Sequence, residues 1–121
     1  MILTNSYYKL ISTHRDGMTG VFRIVLCPDY EVYKGHFPGN PVCPGVCNIQ
    51  TIKECAERLT GCRLHISSIY RCRLTAVATP TVCPELLVKI SLQPVDNSYV
   101  ITATISDEKR IYVDYKGEMF V

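Results

Sequence analysis

The residues best suited to chemistry lie in one stretch, GHFPGNPVCPGVCNIQ, at residues 35–50. His36 is the side chain of this stretch that can take or give a proton near neutral pH, because imidazole titrates there. Pro38, Pro41 and Pro44 stiffen the surrounding backbone by fixing φ and restricting the residue before each proline. We therefore expect a stiff loop that carries His36 and leads directly into a helix.

Gly45 opens that predicted helix. The unpaired N–H groups and the partial positive charge of a helix N-terminus can hold a carbonyl oxygen or an anion. Without a side chain, Gly45 would let such an oxygen approach closely. A proton carrier beside a polarising N–H group suits acid–base chemistry next to a carbonyl. From the residue types alone, the alternative is that His36 only satisfies a turn stiffened by the prolines.

The predicted helix covers residues 45–60, GVCNIQTIKECAERLT, and Gly61 follows as its C-terminal stop. Its apolar stripe, which should face the core, consists of Ile49, Ile52, Cys55, Ala56 and Leu59. We predict solvated positions for Lys53, Glu57 and Arg58. Gln50 and Glu54, four positions apart, share one helix face and are candidate site residues.

Most of the remaining chain alternates between apolar and polar residues, as strands do. The predicted strand segments are 7–13, 18–27, 63–76, 86–92, 99–105 and 111–115. The first two would form a hairpin around the turn HRDG, which contains His14. Segment 63–76 should have one buried and one basic face, with His65 on the polar side. An antiparallel sheet curled around one long helix would bury the apolar stripe, so we predict a single α+β domain over residues 1–121.

Composition narrows the possible functions. A chain of 121 residues that is 47% hydrophobic can build one core but not two ordinary domains. The net charge of +2, without runs of Lys or Arg, argues against a nucleic-acid partner. No segment resembles a secretory signal or a membrane span, so we expect a cytoplasmic protein.

The cysteines predict neither a disulfide framework nor a metal centre. There are seven, an odd number, and they contain no C-x-x-C pair. The spacing of Cys43, Cys47 and His36 matches no common zinc pattern. We expect free thiols that behave as small buried apolar side chains.

The run H-F-P-G-N-P-V-C-P-G-V, residues 36–46, closely resembles the H-F-P-x-x-P-V-x-P-G-V signature of the β-hydroxyacyl-acyl-carrier-protein dehydratases. Weaker similarity to this family extends over nearly the whole chain. The resemblance implies a hotdog fold, in which an antiparallel sheet wraps around one long helix, and a dimer or a trimer of dimers. It agrees with the α+β class predicted from the alternation.

Carried over residue by residue, the resemblance implies a 3-hydroxyacyl-[acyl-carrier-protein] dehydratase of fatty-acid or related lipid or polyketide biosynthesis. His36 would remove a proton from C2 of the acyl thioester, and the Gly45 N–H would polarise its carbonyl. Phe37, Pro44 and Val46 would help to line the acyl tunnel. No cofactor is implied, because the substrate arrives on the phosphopantetheine of an acyl carrier protein.

One catalytic position departs from the family pattern. The family has Glu or Asp fourteen positions after the histidine, where it assists departure of the 3-hydroxyl as water, and this chain has Gln50. An amide can donate a hydrogen bond but is not a useful acid at neutral pH. Glu54 stands where many members have glutamine, so the acid and the amide look exchanged. That Glu54 serves as the acid is a hypothesis, because Glu54 lies one helical turn, about 5 Å, beyond the position that the acid has in the family.

Three functions remain open at this point. The first is an active dehydratase or hydratase. The second is a hotdog thioesterase, in which an amide and a histidine position water. The third is a catalytically impaired subunit that pairs with an active homologue and contributes His36 to a shared site.

Arg71 and Arg73 are candidate docking residues for the carrier protein. Both lie on the predicted basic strand face, and an acidic carrier protein would be steered to such a face by complementary charge. The alternative is an ordinary solvated face.

Overall fold

A computed structural model describes residues 2–27, 43, 45–76 and 85–121. The described elements are β1 (Tyr8–Asp16), β2 (Thr19–Leu26), α1 (Gly45–Thr60), β3 (His65–Leu74), β4 (Glu85–Val95), β5 (Ser98–Ser106) and β6 (Ile111–Phe120). The strands form one six-stranded sheet in the order β1-β2-β4-β5-β6-β3, and every adjacent pair is antiparallel. The predicted α+β class is confirmed.

Helix α1 has the bounds that its sequence pattern predicts. Gly61 follows it with φ at 70° and donates its N–H to the Glu57 carbonyl at 2.9 Å, as a glycine C-terminal stop does. The Glu57 side chain is not simply solvated, because its Oε2 accepts the Leu64 N–H at 2.8 Å. It therefore holds the chain where it leaves the helix.

The buried face of α1 is wider than its apolar stripe. Ile52, Cys55, Ala56 and Leu59 are buried as predicted, and the buried set also includes Cys47, Asn48, Thr51 and Glu54. The helix packs against β2, β4 and β5. A Cβ at Gly20 would lie 2.8 Å from Leu59 Cδ2, so this glycine in β2 permits close approach of the helix. No helix among the described residues is long and apolar enough to cross a membrane.

The alternating segments supply the sheet's half of the core. The inward positions of β2, β4 and β5 are buried as their alternation predicts: Phe22, Ile24, Leu26, Leu86, Val88, Ile90, Leu92, Ile101, Ala103 and Ile105. In β6, Val113 and Tyr115 are buried, whereas Ile111 is exposed at the start of the strand. The core lies between this sheet face and α1.

The first hairpin turns later than the sequence suggests. The predicted turn HRDG is wrong, because β1 continues to Asp16, which pairs with Thr19. The reversal falls at Gly17, whose φ of 59° is accessible to glycine without strain, and at Met18. His14 is consequently an exposed strand residue paired with Val21, not a turn residue.

Strand β3 corrects a second prediction. It lies at one end of the sheet and pairs only with β6 among the described strands. Its apolar residues should form the buried face predicted for segment 63–76, but three of them are open: Ile66, Tyr70 and Leu74 are 36%, 57% and 58% exposed. Register irregularities between Ile66 and Ser68 and between Ile69 and Arg71 break the two-residue alternation on which the prediction relied.

Strands β6 and β3 approach so closely that residue 117 must be glycine. This contact gives a prediction about stability. A Cβ at Gly117 would lie 2.6 Å from the Ser68 backbone oxygen and 2.7 Å from Tyr115 Oη. Because a backbone atom cannot swing aside, Gly117→Ala should lower the free energy of unfolding by about 2 kcal/mol in urea denaturation. Thr102→Ala, at an exposed β5 position, is the control and should change it by less than about 0.5 kcal/mol. Equal losses of unfolding free energy in the two variants would contradict the close contact at Gly117.

Candidate active site

Three candidate residues form a row along α1. Val46, Gln50 and Glu54 are spaced four apart and so follow one another on a single helix face. Val46 is 63% exposed, Gln50 is half-buried and Glu54 is 7% exposed. The row therefore leads from the open first turn of the helix into the core.

The open end of the row lies near the end of β3. A Cβ on Gly45 would be 3.6 Å from Leu74 Cδ1, which is ordinary van der Waals contact. Space alone therefore does not require glycine at this position. The first N–H groups of α1 have no partner within the helix, and its first turn carries no acidic side chain. This end of the helix suits an electron-rich oxygen such as a thioester carbonyl.

The buried end of the row is a carboxylate surrounded by donors. Glu54 Oε1 accepts from the Thr4 N–H at 3.0 Å, the Thr4 hydroxyl at 2.6 Å and the Tyr8 hydroxyl at 2.9 Å. Glu54 Oε2 accepts from the Leu3 N–H at 2.7 Å and from Gln50 Nε2 at 3.0 Å. Five hydrogen bonds thus converge on one buried side chain.

These donors set the protonation state of Glu54. Burial by itself raises the pKa of the Glu54 carboxyl, but the hydrogen bonds from Thr4, Leu3, Gln50 and Tyr8 outweigh it and leave the pKa below its ordinary value. Burial raises the pKa of Tyr8, which keeps its phenol protonated as a donor. Glu54 is therefore ionised at neutral pH. This geometry suits an acceptor that orients its neighbours, and the role of Glu54 as a catalytic acid stays a prediction.

The same carboxylate fixes the orientation of Gln50. A carboxylate can only accept hydrogen bonds, so the NH₂ end of the Gln50 amide must face Glu54 Oε2. The amide carbonyl oxygen then lies away from the carboxylate. Gln50 and Glu54 act as one hydrogen-bonded unit.

The candidate residues that precede Gln50 divide into two groups. Gly45 and Val46 stand in the first turn of α1, at the exposed end of the same row. His36, Phe37 and Pro44 lie outside the described residues. Their predicted roles as base and as acyl-lining side chains stay predictions.

The two candidate docking arginines differ. Arg71 is half-buried and paired with Asp114, with Nε 3.1 Å from Oδ2 and Nη2 donating to Oδ1 at 3.2 Å. Arg73 is exposed, two residues further along β3, and its backbone register partner is also Asp114. Arg73 is thus the more accessible cation.

The N-terminal partners of Glu54 were missed by the sequence interpretation. Leu3, Thr4 and Tyr8 belong to no motif, and nothing in their spacing points to a carboxylate about fifty residues away. A signal for the burial of Glu54 does exist in the helix. Cys47 precedes it by seven residues, which puts the two on nearly the same line along α1, and Cys47 is apolar and buried.

Comparison with known proteins places this chain in a family. The ApeI-like family model, described as ApeI dehydratase, matches residues 12–114. The chain belongs to the ApeI-like dehydratase family. Its predicted kinship with hotdog dehydratases is confirmed. No curated protein matches the sequence.

Solved structures share the fold. A chain of the dehydratase heterocomplex ApeI:P from Xenorhabdus doucetiae superposes with a TM-score of 0.79 at 22% identity, covering 93% of this chain and 97% of that one. An uncharacterised protein from Erwinia carotovora subsp. atroseptica gives a TM-score of 0.60 at 17% identity, with 93% and 90% covered. At these identities the likeness establishes the fold, and the predicted hotdog fold is confirmed.

The Glu54 cluster predicts a pH-dependent stability. Because the hydrogen bonds to Glu54 hold its pKa in the folded state below the ordinary value of a glutamate, the unfolded chain takes up the proton first as pH falls. The stabilisation is present above about pH 5 and is lost as pH falls through the folded-state pKa. Glu54→Gln should lower the free energy of unfolding at pH 7 by about 2 to 3 kcal/mol.

Urea denaturation from about pH 7 to pH 3 measures this effect. The difference in the free energy of unfolding between wild type and Glu54→Gln should become smaller as pH falls. Glu108→Gln, at an exposed position, is the matched control and should follow wild type. A Glu54→Gln deficit that is constant with pH would contradict an ionised Glu54.

Proposed function

We propose that this chain acts as a 3-hydroxyacyl-[acyl-carrier-protein] dehydratase in fatty-acid or related lipid or polyketide biosynthesis. Its membership of the dehydratase family, matched over residues 12–114, carries the proposal. The HFPGNPVCPGV run that ends at the start of α1 supports a 3-hydroxyacyl thioester as the substrate. The acyl chain would arrive on the phosphopantetheine arm of the carrier protein, and no other cofactor is required.

In the proposed reaction, His36 removes a proton from C2 of the acyl group. The Gly45 N–H donates to the thioester carbonyl oxygen, which gains negative charge as the C2–H bond breaks. Phe37, Pro44 and Val46 flank the acyl chain. The exposure of Val46 at the open end of the helix supports its part in this lining.

The leaving hydroxyl needs a proton, and neither helix residue is well suited to give it. The Gln50 amide is not a useful acid, and the Glu54 carboxyl is ionised because its pKa is lowered. We therefore assign the proton to the imidazolium of His36, which returns to the C3 oxygen the proton taken from C2. The C2–H and C3–O bonds break, the C2–C3 double bond forms, water leaves and His36 is neutral again.

Assembly is proposed to occur through the free edge of β3. Its backbone lacks a partner on one side among the described strands, and Ile69, Tyr70 and Leu74 are exposed along it. An exposed apolar edge strand favours pairing with another chain. Since Leu74 lies close to Gly45, a partner on this edge would stand beside the start of α1. We propose a homodimer as the minimal unit.

A heterodimer with a homologous chain is the second candidate. The structure that superposes with a TM-score of 0.79 belongs to a dehydratase heterocomplex, which supports pairing with a different subunit. Gln50 at the usual acidic position supports an impaired role for this chain within such a pair. The active homologue would then supply the missing acid.

Carrier-protein docking is assigned to the exposed Arg73, with Arg71 restrained by Asp114. An acidic partner would meet Arg73 without breaking an existing ion pair.

The central activity prediction concerns three proteins: wild type, His36→Ala and Gln50→Glu. Wild type should convert a 3-hydroxyacyl carrier-protein thioester to the enoyl product, followed by absorbance and mass spectrometry. His36→Ala should lose about 100-fold or more in kcat/KM, because it lacks the base.

The same assay separates the alternatives. A silent wild type with an active Gln50→Glu would indicate a scaffold that lacks its acid, and would favour the heterodimer. Release of free acid and thiol without enoyl product would indicate a thioesterase. Either result would contradict dehydration by this chain alone.

The assembly prediction uses both sheet edges. Ile69→Asp places a charge on the β3 edge and should convert the dimer to a monomer in light scattering after size-exclusion chromatography. Ile11→Asp, at an exposed position of β1 on the opposite edge, is the matched control and should remain dimeric. Dissociation by Ile11→Asp and not by Ile69→Asp would place the dimer interface on the β1 edge and contradict the proposal.

A further inference from the structure

The sheet face opposite α1 carries a group of basic side chains. Residues that are paired directly across antiparallel strands point to the same face. Two adjacent rows of such pairs cross β4, β5, β6 and β3 on this outer face: Lys89, Thr104, Asp114 and Arg73 form one, and Ser91, Thr102, Lys116 and Arg71 form the other. The charged members of the two rows are termed the cationic face.

The cationic face has more positive than negative charge. Its one carboxylate, Asp114, is paired with Arg71, whose Nε lies 3.1 Å from Oδ2. Within the described part of the chain, no carboxylate lies within 4.0 Å of the cationic groups of Lys89, Lys116 or Arg73. Lys89 and Arg73 are exposed and Lys116 is half-buried. Three cations are therefore available to an acidic partner.

The cationic face is large enough for contact with another protein. Because neighbouring strands lie about 4.8 Å apart, the backbones of Lys89 on β4 and Arg73 on β3 are about 14 Å apart. The two rows are separated by two residues along each strand, which is about 7 Å. The face ends at Glu118, one row further, whose carboxylate accepts hydrogen bonds from the hydroxyls of Tyr70 and Ser98.

An open depression of about 310 Å³ adjoins Lys89 on the outer face. Small hydroxyl side chains contribute to its lining: Thr19, Ser91, Thr102 and Thr104. A carboxylate of a partner can therefore approach the Lys89 ammonium without displacing a large side chain.

The other end of the cationic face reaches the candidate active site. Arg73 is followed by Leu74, whose Cδ1 lies 3.6 Å from the position of a Cβ on Gly45. Successive residues of a strand point to opposite faces, so the outer face and the start of α1 meet at this end of β3. A carrier protein bound to the cationic face would only have to pass its pantetheine arm around the end of β3.

We propose that the cationic face is the docking surface for the acidic carrier protein, with Lys89, Lys116 and Arg73 facing its carboxylates. This inference rests on the proposed function, which supplies the partner, and it extends docking from one arginine to a surface that crosses four strands. Asp114 limits the strength of docking, because its ion pair with Arg71 withdraws one cation from the surface.

A double charge reversal on the outer face tests the surface. Lys89→Glu is combined with Lys116→Glu, neither of which belongs to the candidate active site. The matched control combines Lys9→Glu with Arg15→Glu, which are exposed on β1 at the opposite edge of the sheet. Both double variants change the net charge equally, so a difference between them reports the location of the charges and not their sum.

Each protein is assayed on the same 3-hydroxyacyl chain carried either by the carrier protein or by free pantetheine. For the outer-face variant, kcat/KM should fall about tenfold on the carrier-borne substrate and stay within about twofold on the pantetheine thioester, which does not touch the cationic face. The β1 variant should match wild type on both substrates. Added salt should lower kcat/KM of wild type on the carrier-borne substrate more than that of the outer-face variant.

Binding of the carrier is measured separately, by calorimetric titration with a carrier protein that bears a non-eliminating 3-hydroxyacyl amide. The outer-face variant should bind it about tenfold more weakly than wild type. Asp114→Asn should tighten the Kd by about threefold, because Arg71 becomes available to the carrier. Glu108→Gln, which removes an exposed carboxylate outside the cationic face, is the control and should leave the Kd unchanged.

The outcomes separate the docking surface from the proposed function. Equal losses of kcat/KM on both substrates, or equal losses in the two double variants, would overturn the docking surface and leave dehydration standing. A wild type that dehydrates neither substrate would overturn the proposed function, and the titration would then decide the docking surface. Equal Kd values for wild type and the outer-face variant, or a wild type without measurable carrier binding, would overturn it. An unchanged or weaker Kd in Asp114→Asn would overturn the role of Asp114.

Discussion

A carboxylate that is buried and ionised must be matched by hydrogen-bond donors, and Glu54 meets that requirement with five. Desolvation of an unmatched anion would cost several kcal/mol. The match brings together residues that are far apart in the chain, because the N-terminal segment supplies four donors and helix α1 supplies the fifth. The position of the segment before β1 and the contact made by the Gln50 amide thus depend on the same anion.

The fold places this anion at the inner end of a row whose outer end is open. Gly20 lets α1 approach β2 closely, and the apolar stripe of the helix then holds it against the sheet. The first turn of α1 consequently lies beside Leu74 at the end of β3. Substrate recognition, orientation of the amide and pairing of chains would all occur within this one corner of the molecule.

Local patterns specify most of the fold. The helix from Gly45 to Thr60 could be predicted because its periodicity and the following Gly61 agree, and the inward positions of β2, β4 and β5 follow from alternation. Strand β3 could not be predicted in the same way. Its register irregularities and its place at the edge are tertiary properties, and they override the alternation in its sequence.

The candidate site, too, could be predicted only in part from the sequence. The motif from His36 to Val46 and the helix spacing are enough to select Gly45, Gln50 and Glu54. The environment of Glu54 could not be predicted, since its donors come from Leu3, Thr4 and Tyr8, far away in the chain. An exchanged acid and amide is the natural interpretation of the sequence alone. The contacts add that Glu54 is surrounded by donors and accepts a hydrogen bond from the Gln50 amide, and the exchange itself stays a prediction.

The most direct measurement is a crystal structure of the protein with a non-eliminating 3-hydroxyacyl amide analogue of the thioester. The account predicts that the analogue's carbonyl oxygen accepts a hydrogen bond from the Gly45 N–H at about 3 Å, while Gln50 Nε2 keeps its contact with Glu54. A 3-hydroxyl bonded directly to Glu54, or a ligand bound away from the start of α1, would contradict the account.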